Sequence, residues 1–210
     1  MSIQGCKWSK KMVCMRSSNP QIKAFKLEPL IKPQFIHTAF ATYQQNGIPK
    51  TWEIVEAHDS VAILIYNKDK NAFVLVKQFR PAVYLNNQQG MTIELCAGIV
   101  DKELSLVEIA KEEIDEECGY HVSVEDIQRV TSFHTSVGFA GSKQTLYYVE
   151  VKDEMKVHQG GGVDQEQIEV VYLCVKEAKK LMYDETIAKT PGLMFAFMWW
   201  LETKNLTPLS

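Results

Sequence analysis

Glu113, Glu116 and Glu117 stand at i, i+3 and i+4 in one stretch of sequence. The stretch opens with Ser105-Leu106-Val107-Glu108, a capping box. In it the serine hydroxyl accepts from the Glu108 N–H while the glutamate reaches back to the serine N–H. A helix is therefore predicted from about Leu106 to Cys118, with Gly119 suited to the left-handed position beyond its end. On that helix Leu106, Val107, Ala110 and Ile114 form the buried arc, and the three glutamates lie beside it within about one-third of the circumference. Like charges so spaced repel each other, and carboxylates at a helix C-terminus oppose the macrodipole. A cation held between them would remove both penalties. Hard divalent ions take carboxylate oxygens in this way, keep several waters and bind substrate phosphates. The ordinary alternative is a solvated acidic face relieved by Lys111.

Further candidates surround this cluster. Arg80 follows a strand-like run, where its guanidinium could grip two phosphate oxygens at once or hold a structural salt bridge. Glu94 is a carboxylate inside the short run Met91–Cys96, and Asp164 and Glu166 follow Gly160-Gly161-Gly162. His37, His58, His121, His134 and His158 show no metal-ligand spacing, and no Ser-His-Asp or Cys-His arrangement stands out.

The elements that must position these residues are mostly strands. Gln34–Tyr43 and Thr51–Ala57 flank Asn46-Gly47, a hairpin signal because both turn residues tolerate positive φ. Ser60–Tyr66 and Ala72–Phe79 read as a second hairpin, its first strand buried on both faces. Met91–Cys96, Ile127–Phe133, Lys143–Val151 and Ile168–Val175 complete the set. Besides the Leu106–Cys118 helix, a short helix is predicted over Glu177–Tyr183. An apolar one is predicted over Leu193–Glu202, behind Pro191-Gly192, with Trp199 and Trp200 in a core or an interface. Strands with two or three interleaved helices argue an α/β sandwich around a mixed sheet.

Composition narrows the function. The chain has 210 residues, 46% of them hydrophobic and 23% charged, and a formal charge of −3. Residues 1–27 hold six basic residues and no acid, which leaves 17 basic against 26 acidic residues, a balance of −9, for the remainder. That balance does not suit a nucleic-acid binder. The longest apolar run, Leu193–Leu201, is far short of a bilayer span of roughly 20 residues. The five cysteines form no C-x-x-C pair, which fits reduced thiols in the cytoplasm. Residues 1–27 are expected to be a basic, partly disordered tail, with a mitochondrial transit peptide as the second reading.

From Gly98 to Tyr120 the sequence resembles the Nudix box, G-x5-E-x7-R-E-U-x-E-E-x-G-U. The leading glycine, the E-U-x-E-E-x-G-U end and the register all match. Two positions depart: Leu104 stands where the box has its first glutamate and Glu112 where it has arginine, with Lys111 one place early. Val76–Tyr84, Glu94–Gly98, Ser136–Thr145 and the triple glycine are similar to the nucleoside-diphosphate-sugar branch of the family, the UDP-sugar diphosphatases most of all.

The resemblance implies a Nudix α/β/α sandwich over 58–210. It implies a homodimer built through N-terminal strands over 28–57. It implies Mg2+-dependent hydrolysis, with Mn2+ as a substitute, of UDP-glucose to UMP and glucose 1-phosphate. ADP-ribose hydrolysis and a non-catalytic nucleotide-sugar binder are the alternatives. It also implies Glu113, Glu116 and Glu117 with the Ala97 carbonyl at the metal, and Gly98 allowing close approach. Arg80 and Glu94 would meet substrate, and Asp164 or Glu166 would complete the metal site or act as general base, on a loop whose glycines let it close over substrate. Trp52 and Phe139 would stack on the base or face the sugar.

Overall fold

The computed structural model describes residues 19–163 and 166–204. Most of the tail expected over 1–27 falls outside them, and so does Asp164. The hairpin signalled by Asn46-Gly47 is a two-stranded ribbon. Strand β1 (Ile36–Gln45) pairs antiparallel with β2 (Ile48–Ala57), and Asn46 and Gly47 turn the chain at φ 54° and 79°. The ribbon is a sheet of its own, joined to the body where Val55 N–H donates to the Phe139 carbonyl at 2.8 Å. Phe40, Ile48 and Trp52 remain exposed on it.

An eight-stranded mixed sheet forms the body. Strand β3 (Ser60–Asn67) is as apolar as its sequence suggests, and it is buried on both faces. Val61, Ile63 and Ile65 enter one core while Ala62 and Leu64 enter the other, the period-two alternation of a strand between two layers. β4 (Ala72–Phe79) splits in the same way, with Val74 and Val76 on one side and Phe73 and Leu75 on the other. β8 (Lys143–Val151) runs parallel to β3 along its whole length, and β7 (Gln128–His134) pairs with β8.

The other edge of β3 is shared. Its C-terminal residues pair with β4, whereas Ser60–Ile63 pair with β6 (Cys96–Ile99). β4 meanwhile continues alongside β5 (Met91–Glu94). The predicted strand Met91–Cys96 is therefore two strands separated at Leu95, because its two ends are recruited by different partners. This divide places Glu94 on one branch of the sheet and Ala97-Gly98 on the other.

Helix α1 (Pro81–Asn87) has no counterpart in the sequence reading. Arg80 enters extended, Pro81 occupies the first turn, and Asn87 Oδ1 accepts from the N–H groups of Gln89 and Gly90 as the helix ends. α2 (Leu106–Cys118) has both bonds of its capping box, and Gly119 adopts φ 72°. Its buried residues are Ile109, Ala110, Ile114, Glu117 and Cys118, so the deep stripe includes Ile109, while Leu106 and Val107 are only half buried.

β9 (Glu169–Cys174) pairs with β4 and leads directly into α3 (Val175–Tyr183), which starts two residues earlier than predicted. β10 (Ala188–Lys189) pairs with β5, and α4 (Pro191–Thr203) is capped by the Thr190 hydroxyl. α3 and α4 cover one face of the sheet and α2 the other. Trp200 packs edge-on to Phe73 in the core, and Trp199 lies half buried against Tyr148. None of the helices in the described residues is long and apolar enough to cross a membrane.

Candidate active site

The buried stripe of α2 fixes the helix against β3 and β6, and this turns Glu113 and Glu117 toward the divide in the sheet. Glu117 is 4% exposed. Its Oε2 accepts from the Ala97 N–H at 3.0 Å. Glu113 lies over Gly98, where a Cβ would come 2.0 Å from its Oε1, so only glycine leaves the carboxylate its place. Burial pushes Glu113 up to about 7, helped by the charges of Glu116 and Glu166. Burial likewise pushes Glu117 up to about 8, against the Ala97 hydrogen bond and with the charge of Glu113 adding to it. Both carboxylates are thus held at a cost that nearby positive charge would relieve.

On the other branch of the divide Glu94 is also buried, yet its acidity moves the opposite way. Burial pushes its pKa up, but Arg80 and the Thr92 hydroxyl outweigh it and the net direction is down. Arg80 grips it with two parallel bonds, Nε to Oε1 at 2.9 Å and Nη2 to Oε2 at 2.8 Å. The hydrogen bonds it donates to Glu94 raise the Arg80 pKa, and the charges of Glu117 and Glu166 raise it further, so this guanidinium stands in the field of the same cluster. Glu166 is anchored through its Oε2, which accepts from the Val163 N–H at 3.1 Å.

Glu94, Arg80, Ala97, Gly98, Glu113, Glu117 and Glu166 are therefore brought together. Glu116 faces the cluster only through its charge on Glu113. Trp52 and Phe139 meet at the joint between the ribbon and the loop after β7. There Trp52 Nε1 donates to the Gly138 carbonyl at 2.7 Å, and both rings are more than half exposed. Among the described residues no hydrogen bond joins either of them to the carboxylates.

Lys102, in the connection from β6 to α2, was missed by sequence reasoning. It pairs with Glu112 at 2.7 Å and feels the charges of Glu113 and Glu116. Lys111, expected to relieve the acidic face, acts instead on Glu108 at the other end of the helix. Lys102 carried a signal in its position, since a connection this short cannot take a lysine far from the glutamates.

Among the described residues no three His, Cys, Asp or Glu side chains are gathered closely enough to hold a metal ion. The donor chemistry nevertheless fits one. Two carboxylates lie beside the backbone of Ala97-Gly98, the charge of Glu166 acts on both, and no basic side chain is bonded to Glu113 or Glu117 among the described residues. An all-oxygen set of this kind suits a hard divalent cation.

A family model described as NUDIX domain matches residues 56–190. The uridine diphosphate glucose pyrophosphatase NUDT14 of Bos taurus is 39% identical over 200 residues, covering 81% of this chain and 88% of the relative. The protein of the same name from Mus musculus is 38% identical over the same shares of both chains. GDP-mannose pyrophosphatase of Cronobacter sakazakii is 39% identical over 127 residues, 60% of this chain and 65% of its own.

Proposed function

The chain belongs to the NUDIX domain family, and on that premise we propose that it hydrolyses the diphosphate bond of nucleoside-diphosphate sugars, with UDP-glucose giving UMP and glucose 1-phosphate. One observation supports this above the others. Glu117 is buried and Glu113 half-buried against Ala97-Gly98, without a bonded cation of their own among the described residues, while Arg80 stands in the same field. The names of the relatives point to the same substrate class, two of them to UDP-glucose and one to GDP-mannose.

A diphosphate repels an incoming nucleophile, so the site must neutralise charge before water can attack phosphorus. A divalent ion, Mg2+ or Mn2+, supplies that neutralisation when bound and makes water a better nucleophile. Glu113, Glu117 and the Ala97 carbonyl would hold it, with Glu116 in support. Arg80 keeps its Nε and Nη2 on Glu94 and presents its remaining N–H groups to the diphosphate oxygens. Glu94 thereby fixes the plane of the guanidinium. Glu166, or Asp164 two places earlier in the sequence, accepts the proton of the attacking water as the new P–O bond forms and the bridging P–O bond breaks. Trp52 and Phe139 are the exposed rings available to base or sugar.

The same reading divides the chain into a tail over 1–27, a dimerisation ribbon over 28–57 and the hydrolase domain over 58–210, supported by a family match that begins at residue 56. A second copy would cover Phe40, Tyr43 and Ile48 on the ribbon. A cytoplasmic location fits Cys96, Cys118 and Cys174, which are free thiols.

Incubation with UDP-glucose, GDP-mannose and ADP-ribose, with and without Mg2+, tests the proposal. Metal-dependent UMP release is expected to dominate. Predominant AMP release from ADP-ribose would change the substrate, and binding without turnover under any divalent ion would leave a non-catalytic binder, consistent with Leu104 and Glu112. Sedimentation of the wild type at two concentrations reads the dimer.

A further inference from the structure

The last carbonyls of a helix have no intrahelical donors, and at the end of α2 they belong to the very residues that carry the carboxylates. Segment 156–162 supplies the donors. Gly162 N–H reaches the Glu116 carbonyl at 3.1 Å, Gly161 N–H the Glu117 carbonyl at 2.9 Å, and Val157 N–H the Gly119 carbonyl at 2.8 Å. Lys156 Nζ reaches the Cys118 carbonyl between them at 3.2 Å. The two backbones touch. A Cβ on Gly160 would lie 2.2 Å from the Glu117 carbonyl oxygen, and one on Gly119 would lie 2.1 Å from that of His158. Glycines expected to let a loop swing are fitted into a clamp.

Lys156 is the side chain in this clamp. Its backbone bridges to Tyr120, which turns the side chain under the helix end. Its hydrogen bonds go to neutral oxygens, the Cys118 carbonyl and the Tyr172 hydroxyl at 3.2 Å, and the rings of Tyr120 and Tyr172 lie 5.0 and 5.6 Å from the ammonium. Tyr172 is bonded in turn to Tyr120, and Tyr120 to Asn67 of β3, so the ammonium is tied to the sheet. Burial pulls the lysine pKa down, a desolvation cost that its position on the negative end of the α2 dipole offsets. The last turn of α2 has no basic residue of its own, and the cation at its end comes from 38 residues further along the chain.

We propose that Lys156 is a positioning residue for the diphosphatase reaction. Its ammonium, together with the Gly161 and Gly162 amides, locks the last turn of α2. That keeps Glu113 and Glu117 in place against Ala97-Gly98 and ties the loop that carries Glu166 to the same turn. The catalytic half of this inference rests on the hydrolase reading above, whereas the clamp does not.

Lys156→Met, Lys156→Arg and the wild type are compared in full-length protein for UDP-glucose turnover and for amide hydrogen exchange. Lys156→Met is expected to lower kcat by about ten- to a hundredfold with KM within about twofold. Exchange should quicken at Gly119, Gly161 and Gly162 while β3 and β8 stay protected. Lys156→Arg should recover most of the rate. Unchanged kcat with unchanged exchange overturns the proposal, and so does a uniform loss of protection in which the folded fraction turns over normally. An inactive wild type would refute the hydrolase reading instead, and exchange at the three glycines would still decide the clamp. If Lys156→Met does not fold, Tyr172→Phe keeps the ammonium and removes one acceptor. It should quicken exchange at the same glycines and lower kcat by about twofold, and no change at either overturns the proposal.

Discussion

Glu94 at the end of β5 and Glu117 in the last turn of α2 are almost equally buried, at 8% and 4% exposure, yet the first is a stronger acid than usual and the second is pushed up to about 8. Desolvation acts upward on both. Glu94 receives two bonds from Arg80 and one from Thr92, whereas Glu117 receives only the Ala97 N–H and the weak Cys96 thiol, against the repulsion of Glu113. The charge on one branch of the sheet is balanced within the chain. On the other branch Lys102 acts on Glu113 only through its charge and both carboxylates stay pushed up, so a cation from outside would relieve them. Burial therefore says little about which acids are functional, while the absence of a compensating partner says a good deal.

Changing the uncompensated carboxylate gives the largest expected effect. Glu117→Gln should lower UDP-glucose turnover by about a hundredfold or more with an unchanged circular dichroism spectrum. In chelator near pH 8 the same variant should melt several degrees above the wild type, because a buried charge with no cation bonded to it is gone. A variant that turns over normally would place the metal elsewhere.

Gly98→Ala tests the same branch sterically. Its Cβ would displace the Glu113 carboxylate, so turnover should fall about tenfold or more for a stability change of about 1–3 kcal/mol, read by urea unfolding. Glu94→Gln tests the compensated branch. Breaking a fully buried pair costs about 3–5 kcal/mol. The Arg80 side chain is 45% exposed, so solvent screening lowers the expected loss to about 1–2 kcal/mol, accompanied by a higher KM as the guanidinium loses its fixed plane.

The smallest effect is on pH dependence, and there the two branches have opposite signs. Glu113 and Glu117 hold protons in the folded chain that the unfolded chain has released, from about pH 4.5 up to about 7 and 8. Their contribution to stability therefore falls as pH rises through that window. The lowered pKa of Glu94 contributes stability above its unfolded value, and this is lost as pH drops through the folded one. In chelator the melting temperature should decline from pH 5 to pH 8, and added Mg2+ should flatten the decline. A metal-free melting curve that rises over the same range would contradict the difference between the branches.

Legibility in the sequence followed the range of the interactions. α2 could be read from Ser105, Glu108 and Gly119, the ribbon from Asn46-Gly47, and β3 from its continuous apolar run, since each depends on residues a few places apart. α1 escaped because Asn86-Asn87-Gln88-Gln89 has the composition of a loop, and its helix depends on Pro81 at one end and the Asn87 turn at the other. The break at Leu95 escaped because it exists only where β3 and β4 compete for the two halves of one segment. Arg80 left two readings open, and the bidentate contact with Glu94 joins them, since a guanidinium held by one carboxylate still carries free donors.

Sequence alone determined that three glutamates share one end of a helix and that Gly98 stands at a fixed interval before them. Periodicity and capping are local, and a 23-residue motif holds them in register. The tertiary structure decided which glutamates are buried and which cations are near. Ala97 meets Glu117 across 20 residues, and Lys156 meets Cys118 across 38. Desolvation and charge depend on everything packed around a group, so they are set only when segments distant in sequence close around that helix.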